Sequence, residues 1–85
     1  MNITVIGSHL CPDTLYALSR LSEAKAEIDF KNLSASLSDL KAYLALRESD
    51  PVYADIRENG GIGIPCFILK DGTVTRDLET VLKSL

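Results

Sequence analysis

The chain has 85 residues, 46% of them apolar and 25% charged, with a formal charge of −3 and a pI near 4.9. This length fits one compact domain, residues 1–85, burying about 60–65% of the surface that its unfolded chain exposes, and the composition excludes a disordered or low-complexity polymer. An acidic chain with 6% aromatics has no basic stripe for phosphates, no apolar run near the roughly 18 residues of a membrane span and no basic-then-apolar leader, so neither nucleic acid nor membrane is an expected partner.

Residues 2–6 are largely β-branched and apolar, which predicts a strand covered on both faces and therefore central in its sheet. Cys11-Pro12-Asp13-Thr14 follows. Pro12 fits a first helical position, where its missing N–H has no intrahelical partner in any case, and Leu15, Leu18 and Leu21 with Ala17 and Ala24 supply a buried stripe for a helix over about 12–24. Residues 27–31 alternate polar and apolar side chains, as expected of a half-buried edge strand. Ser36 with Asp39 has capping-box spacing, and Leu37, Leu40 and Leu44 repeat at helical intervals behind it.

Asp50-Pro51 offers a second N-cap, so a short further piece of helix is expected before the Gly60-Gly61 stop, with residues 61–64 as loop. Phe67, Ile68 and Leu69 on one side and Val74 on the other flank Asp71-Gly72, a hairpin signal that predicts two antiparallel strands. Leu78, Val81, Leu82 and Leu85 then form the face of a last helix capped by Thr75 or Asp77. The expected fold class is α/β, in the order β-α-β-α-β-β-α. A right-handed crossover between the first two strands makes them parallel, and the hairpin completes a four-stranded mixed sheet with helices on both faces.

Chemistry concentrates at Cys11. A cysteine opening a helix sits among unpaired N–H groups at the positive end of the helix dipole, which favours thiolate over thiol and makes the sulfur a nucleophile. A redox Cys-x-x-Cys would carry its second cysteine at position 14, where this chain has Thr14, so the chemistry is that of one cysteine or borrows a thiol from elsewhere. Thr14 has two open roles, donor to the Cys11 sulfur or packing at the helix surface. Asp13 opposes the thiolate by its charge. His9 has two as well, a charge partner when protonated or an ordinary loop histidine.

Cys66 enters the third strand within an apolar run, which favours buried core over a second, resolving thiol. The acidic residues Glu48, Asp50, Asp55 and Glu58 read as a solvated face. Two cysteines make no disulfide framework of a small secreted domain, so a reducing cytoplasm is the expected compartment.

Three local features, Cys11-Pro12 at a strand-to-helix turn, Ile64-Pro65 before the third strand, and the Asp-Gly hairpin leading into an acid-capped last helix, resemble the glutaredoxins within the thioredoxin fold. The resemblance covers nearly the whole chain. It implies a nucleophilic Cys11, a cis Ile64-Pro65 bond opposite it, backbone groups of Ile64 that pair with a bound thiol peptide, and Asp77 near the γ-glutamyl end of glutathione. Catalytic residues would then be Cys11 and Thr14, and substrate-binding residues Pro12, Ile64, Pro65 and Asp77. The implied activity is thiol–disulfide exchange by a monomer on glutathione mixed disulfides or disulfide-bearing proteins, with glutathione as co-substrate and no metal or organic cofactor.

Two departures from that pattern stand in the sequence. Glutaredoxins usually place Lys or Arg three residues before the nucleophile, where this chain has Ser8, and Gly-Gly before the acidic cap, where it has Thr75-Arg76-Asp77. Arg57 and Arg76 are the candidate replacement cations. The iron–sulfur-binding one-cysteine branch has Gly-Phe-Ser after its cysteine, against Pro-Asp-Thr here. The competing expectation is a non-enzymatic thioredoxin-fold module that binds an extended peptide or thiol ligand beside Pro65.

Overall fold

The computed structural model describes residues 2–85. Strand β1 (Asn2–Gly7) lies in the middle of a four-stranded sheet, parallel to β2 (Glu27–Asn32) at one edge and antiparallel to β3 (Cys66–Ile68), with β4 (Val74–Thr75) closing the other edge. Helices α1 (Pro12–Glu23), α2 (Leu37–Ser49), α3 (Ala54–Asn59) and α4 (Leu78–Lys83) connect or follow the strands, and a 3-10 turn over Pro51–Tyr53 leads into α3. The chain therefore has the thioredoxin-like α/β architecture, a mixed sheet between two helical layers, with α3 as the short extra piece after α2.

Side-chain alternation along β1 and β3 divides the core in two. Ile3, Val5 and Phe67 point to one face, where Ala17 and Leu21 of α1 and Val81 of α4 cover them. Ile6 and Cys66 point to the other, beneath Tyr43 of α2 and Tyr53 of the 3-10 turn. Cys66 is completely buried and faces the α2 layer, away from the layer that holds α1.

The caps follow the sequence. Ser36 Oγ accepts from the Asp39 N–H at 3.2 Å, Asp50 Oδ1 from Val52 N–H at 3.0 Å, and Asp77 Oδ1 from Glu79 N–H at 3.1 Å, so Asp77 and not Thr75 starts α4. In the hairpin, Asp71 Oδ1 accepts from Thr73 N–H at 2.9 Å.

Two helix faces differ from expectation. In α1 the buried positions are Thr14, Ala17 and Leu21; Leu15 and Ala24 are exposed, because the stripe that meets the sheet is set by Thr14. In α2 the leucine repeat does not mark the core side: Leu37 and Leu44 are exposed, and Tyr43 is buried with Leu46 packed against its cluster. The strand expected to reach Leu69 begins and ends one residue earlier, since Leu69 is already in the hairpin, its N–H donating to the Thr73 carbonyl at 2.9 Å.

Candidate functional site

The turn between β1 and α1 is built by Ser8. Its carbonyl accepts from Cys11 N–H at 3.0 Å, its Oγ accepts from Leu10 N–H at 3.1 Å and bonds Ser34 Oγ, and its N–H points to Thr14 Oγ1 at 3.4 Å. Ser8 is buried and borders the cleft beside Cys11, and its polar groups serve to build the turn. Thr14, fully buried, closes the turn from the helix side. Gly7 leaves the space that it fills: a Cβ on Gly7 would stand 2.6 Å from Thr14 Cγ2.

Cys11 is the N-cap residue of α1, extended at φ −98° and ψ 117°, and half-exposed, with its carbonyl accepting from Leu15 N–H at 3.1 Å. The Thr14 hydroxyl, followed by the Thr14 backbone N–H, holds the Cys11 thiol below its ordinary value, with the Asp13 N–H adding to this; slight burial and the Asp13 charge oppose them. Thr14 is fully buried, so it packs beneath the turn and not at the helix surface. The His9 ring pairs with Asn32, Nδ1 to Nδ2 at 2.9 Å, an attachment to the β2 edge.

Across from the cysteine lies the segment between α3 and β3. Ser8, Leu10, Cys11, Ile62, Gly63 and Ile64 line an open cleft of about 450 Å³, and none of these six side chains is charged. The Ile64-Pro65 bond is cis. Of the residues marked out in the sequence, Cys11 and Ile64 share this cleft, Thr14 supports it from beneath, Pro12 is the exposed first residue of α1, and Pro65 is half-buried at the entry to β3. Asp77 is not among the lining residues. Asp77 is exposed at the start of α4, where Oδ1 accepts from Glu79 N–H and Oδ2 from the Thr80 hydroxyl at 2.7 Å.

What holds this loop is not visible in the local sequence pattern. Tyr43 Oη stands 2.7 Å from the Ile62 carbonyl and 2.9 Å from the Gly63 carbonyl, one proton shared between two acceptors, and Arg47 donates from Nε and Nη2 to the Gly61 carbonyl at 3.0 and 2.7 Å. Three consecutive carbonyls are thus tied to one face of α2. The two candidate replacement cations are also turned inward: Arg57 donates to the Arg47 and Asp50 carbonyls at 2.7 and 2.9 Å, and Arg76 reaches the Val52 carbonyl at 3.5 Å and Asp55 at 3.3 Å, with its guanidinium over the Tyr53 ring. Glu48, Asp55 and Glu58 are exposed, as expected of a solvated face, with Asp55 also pairing with Arg76; Asp50 is half-buried and caps the 3-10 turn.

Cys66 is the chemical opposite of Cys11. Burial pushes its thiol up, so it is held as the neutral, unreactive form. Both cysteines are free. Among the described residues no group of three or more His, Cys, Asp or Glu side chains is placed to hold a metal ion, and no helix is long and apolar enough to cross a membrane.

An uncharacterized protein of Haemophilus influenzae is 34% identical to this chain over 69 residues, which cover 81% of this chain and 80% of that relative. This chain belongs to the same family as that protein. No protein-family model and no solved structure matches it.

Proposed function

We propose that this protein is a glutaredoxin-like thiol–disulfide exchange catalyst that works through Cys11 alone on glutathione mixed disulfides. The observation that carries this reading is the pairing of a half-exposed helix-capping thiol, held toward the thiolate by Thr14, with a cleft whose far wall is the Ile62–Ile64 backbone. The Cys11 thiolate attacks the glutathione sulfur of a mixed disulfide. A new Cys11–glutathione S–S bond forms, the old S–S bond breaks, and its electron pair leaves on the partner thiolate, which takes a proton from water. A free glutathione thiolate then attacks the glutathionyl sulfur on Cys11, giving glutathione disulfide and restoring the Cys11 thiolate.

Reset by an external thiol is required because Cys66, buried in the opposite layer with its thiol pushed up, is a poor resolving group. A reducing compartment such as the cytoplasm supplies that thiol. The Ile64 N–H and C=O, next to the cleft, are the backbone groups best placed to meet an extended substrate.

The one-cysteine character is tested by oxidising the protein with excess glutathione disulfide and weighing it intact. The expected product gains one glutathionyl group, located on Cys11, in wild type and in Cys66→Ser alike. A loss of two hydrogens without an adduct, abolished by Cys66→Ser, would show a Cys11–Cys66 bridge and assign Cys66 as the resolving thiol.

A further inference from the structure

We infer that the part of the substrate recognised beside Cys11 is the uncharged, apolar peptide half of the mixed disulfide, and not its glutathione half. This rests on the exchange reading given above and identifies its substrate class. The exposed side chains on the two lips of the cleft are large and apolar: Leu10 is 74% exposed on the Cys11 side and Ile62 is 65% exposed on the opposite side. Single exposed leucines are ordinary on a protein surface, but two large apolar side chains facing each other across the cleft that holds the Cys11 thiol form a patch.

The charge pattern points the same way. Glutathione carries two carboxylates and one ammonium at neutral pH, groups that gain most from charge-assisted hydrogen bonds. The cleft lining has no charged side chain, and Ser8 occupies its floor. Arg47, Arg57 and Arg76 are bound to main-chain carbonyls, and the Asp77 carboxylate is bound within α4. A chain with a net charge of −3 adds a weak general repulsion toward anions. An extended apolar segment fits these walls, covering Leu10 and Ile62 while its backbone meets Ile64.

Three glutathione mixed disulfides separate the possibilities: one on a ten-residue peptide with Leu and Val flanking its cysteine, one on the same peptide with Glu flanks, and one on 2-mercaptoethanol. Each kcat/KM is divided by the uncatalysed rate constant with free glutathione, which removes the intrinsic reactivity of each disulfide. The apolar peptide is expected to exceed both others by about tenfold, and the Leu10→Ser/Ile62→Ser double variant is expected to lose most of that preference. Equal values for the three, a preference for the acidic peptide, or a preference that survives the double substitution would overturn the inference while leaving exchange intact.

Recognition is also read without chemistry, by fluorescence anisotropy of the labelled, disulfide-free peptides on the Cys11→Ser protein. Tighter binding of the apolar peptide supports the inference, and equal or weaker binding contradicts it. If no mixed disulfide turns over faster on wild type than on Cys11→Ser, the exchange reading itself falls, whichever peptide binds.

Discussion

Gly63→Ala is expected to cost about 2–4 kcal/mol of folding stability and to lower the thermal midpoint by about 10–30 °C, a large change for a domain of this size. Gly63 has a φ of +80°, a region that an L side chain adopts with difficulty, and an added Cβ would stand 2.8 Å from Tyr53 Cε1 and 3.0 Å from Tyr43 Oη. Neither ring yields easily, since both are buried and meet edge to face with centroids 5.8 Å apart. Displacing them pulls the Ile62 and Gly63 carbonyls off the Tyr43 hydroxyl and moves one wall of the cleft relative to Cys11. Disulfide exchange should therefore fall further than the alkylation rate of Cys11, which needs no cleft. Gly60→Ala is the control: it shares a positive φ, +73°, but its added Cβ meets nothing within 4 Å, so only the backbone cost of about 1 kcal/mol is expected. Calorimetry or thermal denaturation showing equal losses at the two positions would remove the argument from contact with the tyrosines.

The second large effect separates the two cysteines. Cys11→Ser should reduce the glutathione-coupled turnover of a mixed disulfide to the uncatalysed rate while leaving stability within about 0.5 kcal/mol, because the side chain is half-exposed and serine is itself a favoured residue at a helix N-cap. Cys66→Ser should do the reverse. It retains turnover but loses about 1–3 kcal/mol, since a hydroxyl replaces a thiol in a fully buried position among Ile6, Tyr43 and Tyr53. Turnover that survives Cys11→Ser and disappears in a folded Cys66→Ser protein would exchange the roles assigned to the two thiols.

How far such a site is visible in sequence depends on the range of the interactions that form it. The capping residues Ser36, Asp50 and Asp77, the Asp71-Gly72 hairpin and the Cys11-Pro12 helix start are all settled within three or four residues, and each lies where the local pattern puts it. The central position of β1 follows from its largely apolar, β-branched run, and the edge position of β2 from its alternation. What stays hidden depends on partners far along the chain. The inward face of α2 is set by Tyr43, whose hydroxyl serves carbonyls 19 and 20 residues away, and this outweighs the regular spacing of Leu37, Leu40 and Leu44. Ser8 owes part of its burial to Ser34, 26 residues on, and its place in the chain identifies it only as a missing lysine. Leu15 looks like core by helical spacing, but the buried Thr14 sets the rotation of the helix so that Leu15 faces outward. In each case local periodicity is correct about the element and silent about its rotation.

The central claim, that Cys11 is a nucleophile activated by its own helix start, is tested most directly by the rate of iodoacetamide alkylation at Cys11 against pH, in wild type and Thr14→Val. The thiolate alone reacts, so the rate rises through the thiol pKa and levels off above it. A thiol whose pKa is lowered by the Thr14 hydroxyl should reach half its maximal rate below the ordinary value of about 8.5, and removal of that hydroxyl should move the midpoint upward. Thr14→Ser, which keeps the hydroxyl, should restore a wild-type midpoint. A wild-type midpoint at or above the ordinary thiol value, or one that Thr14→Val leaves in place, would contradict the account.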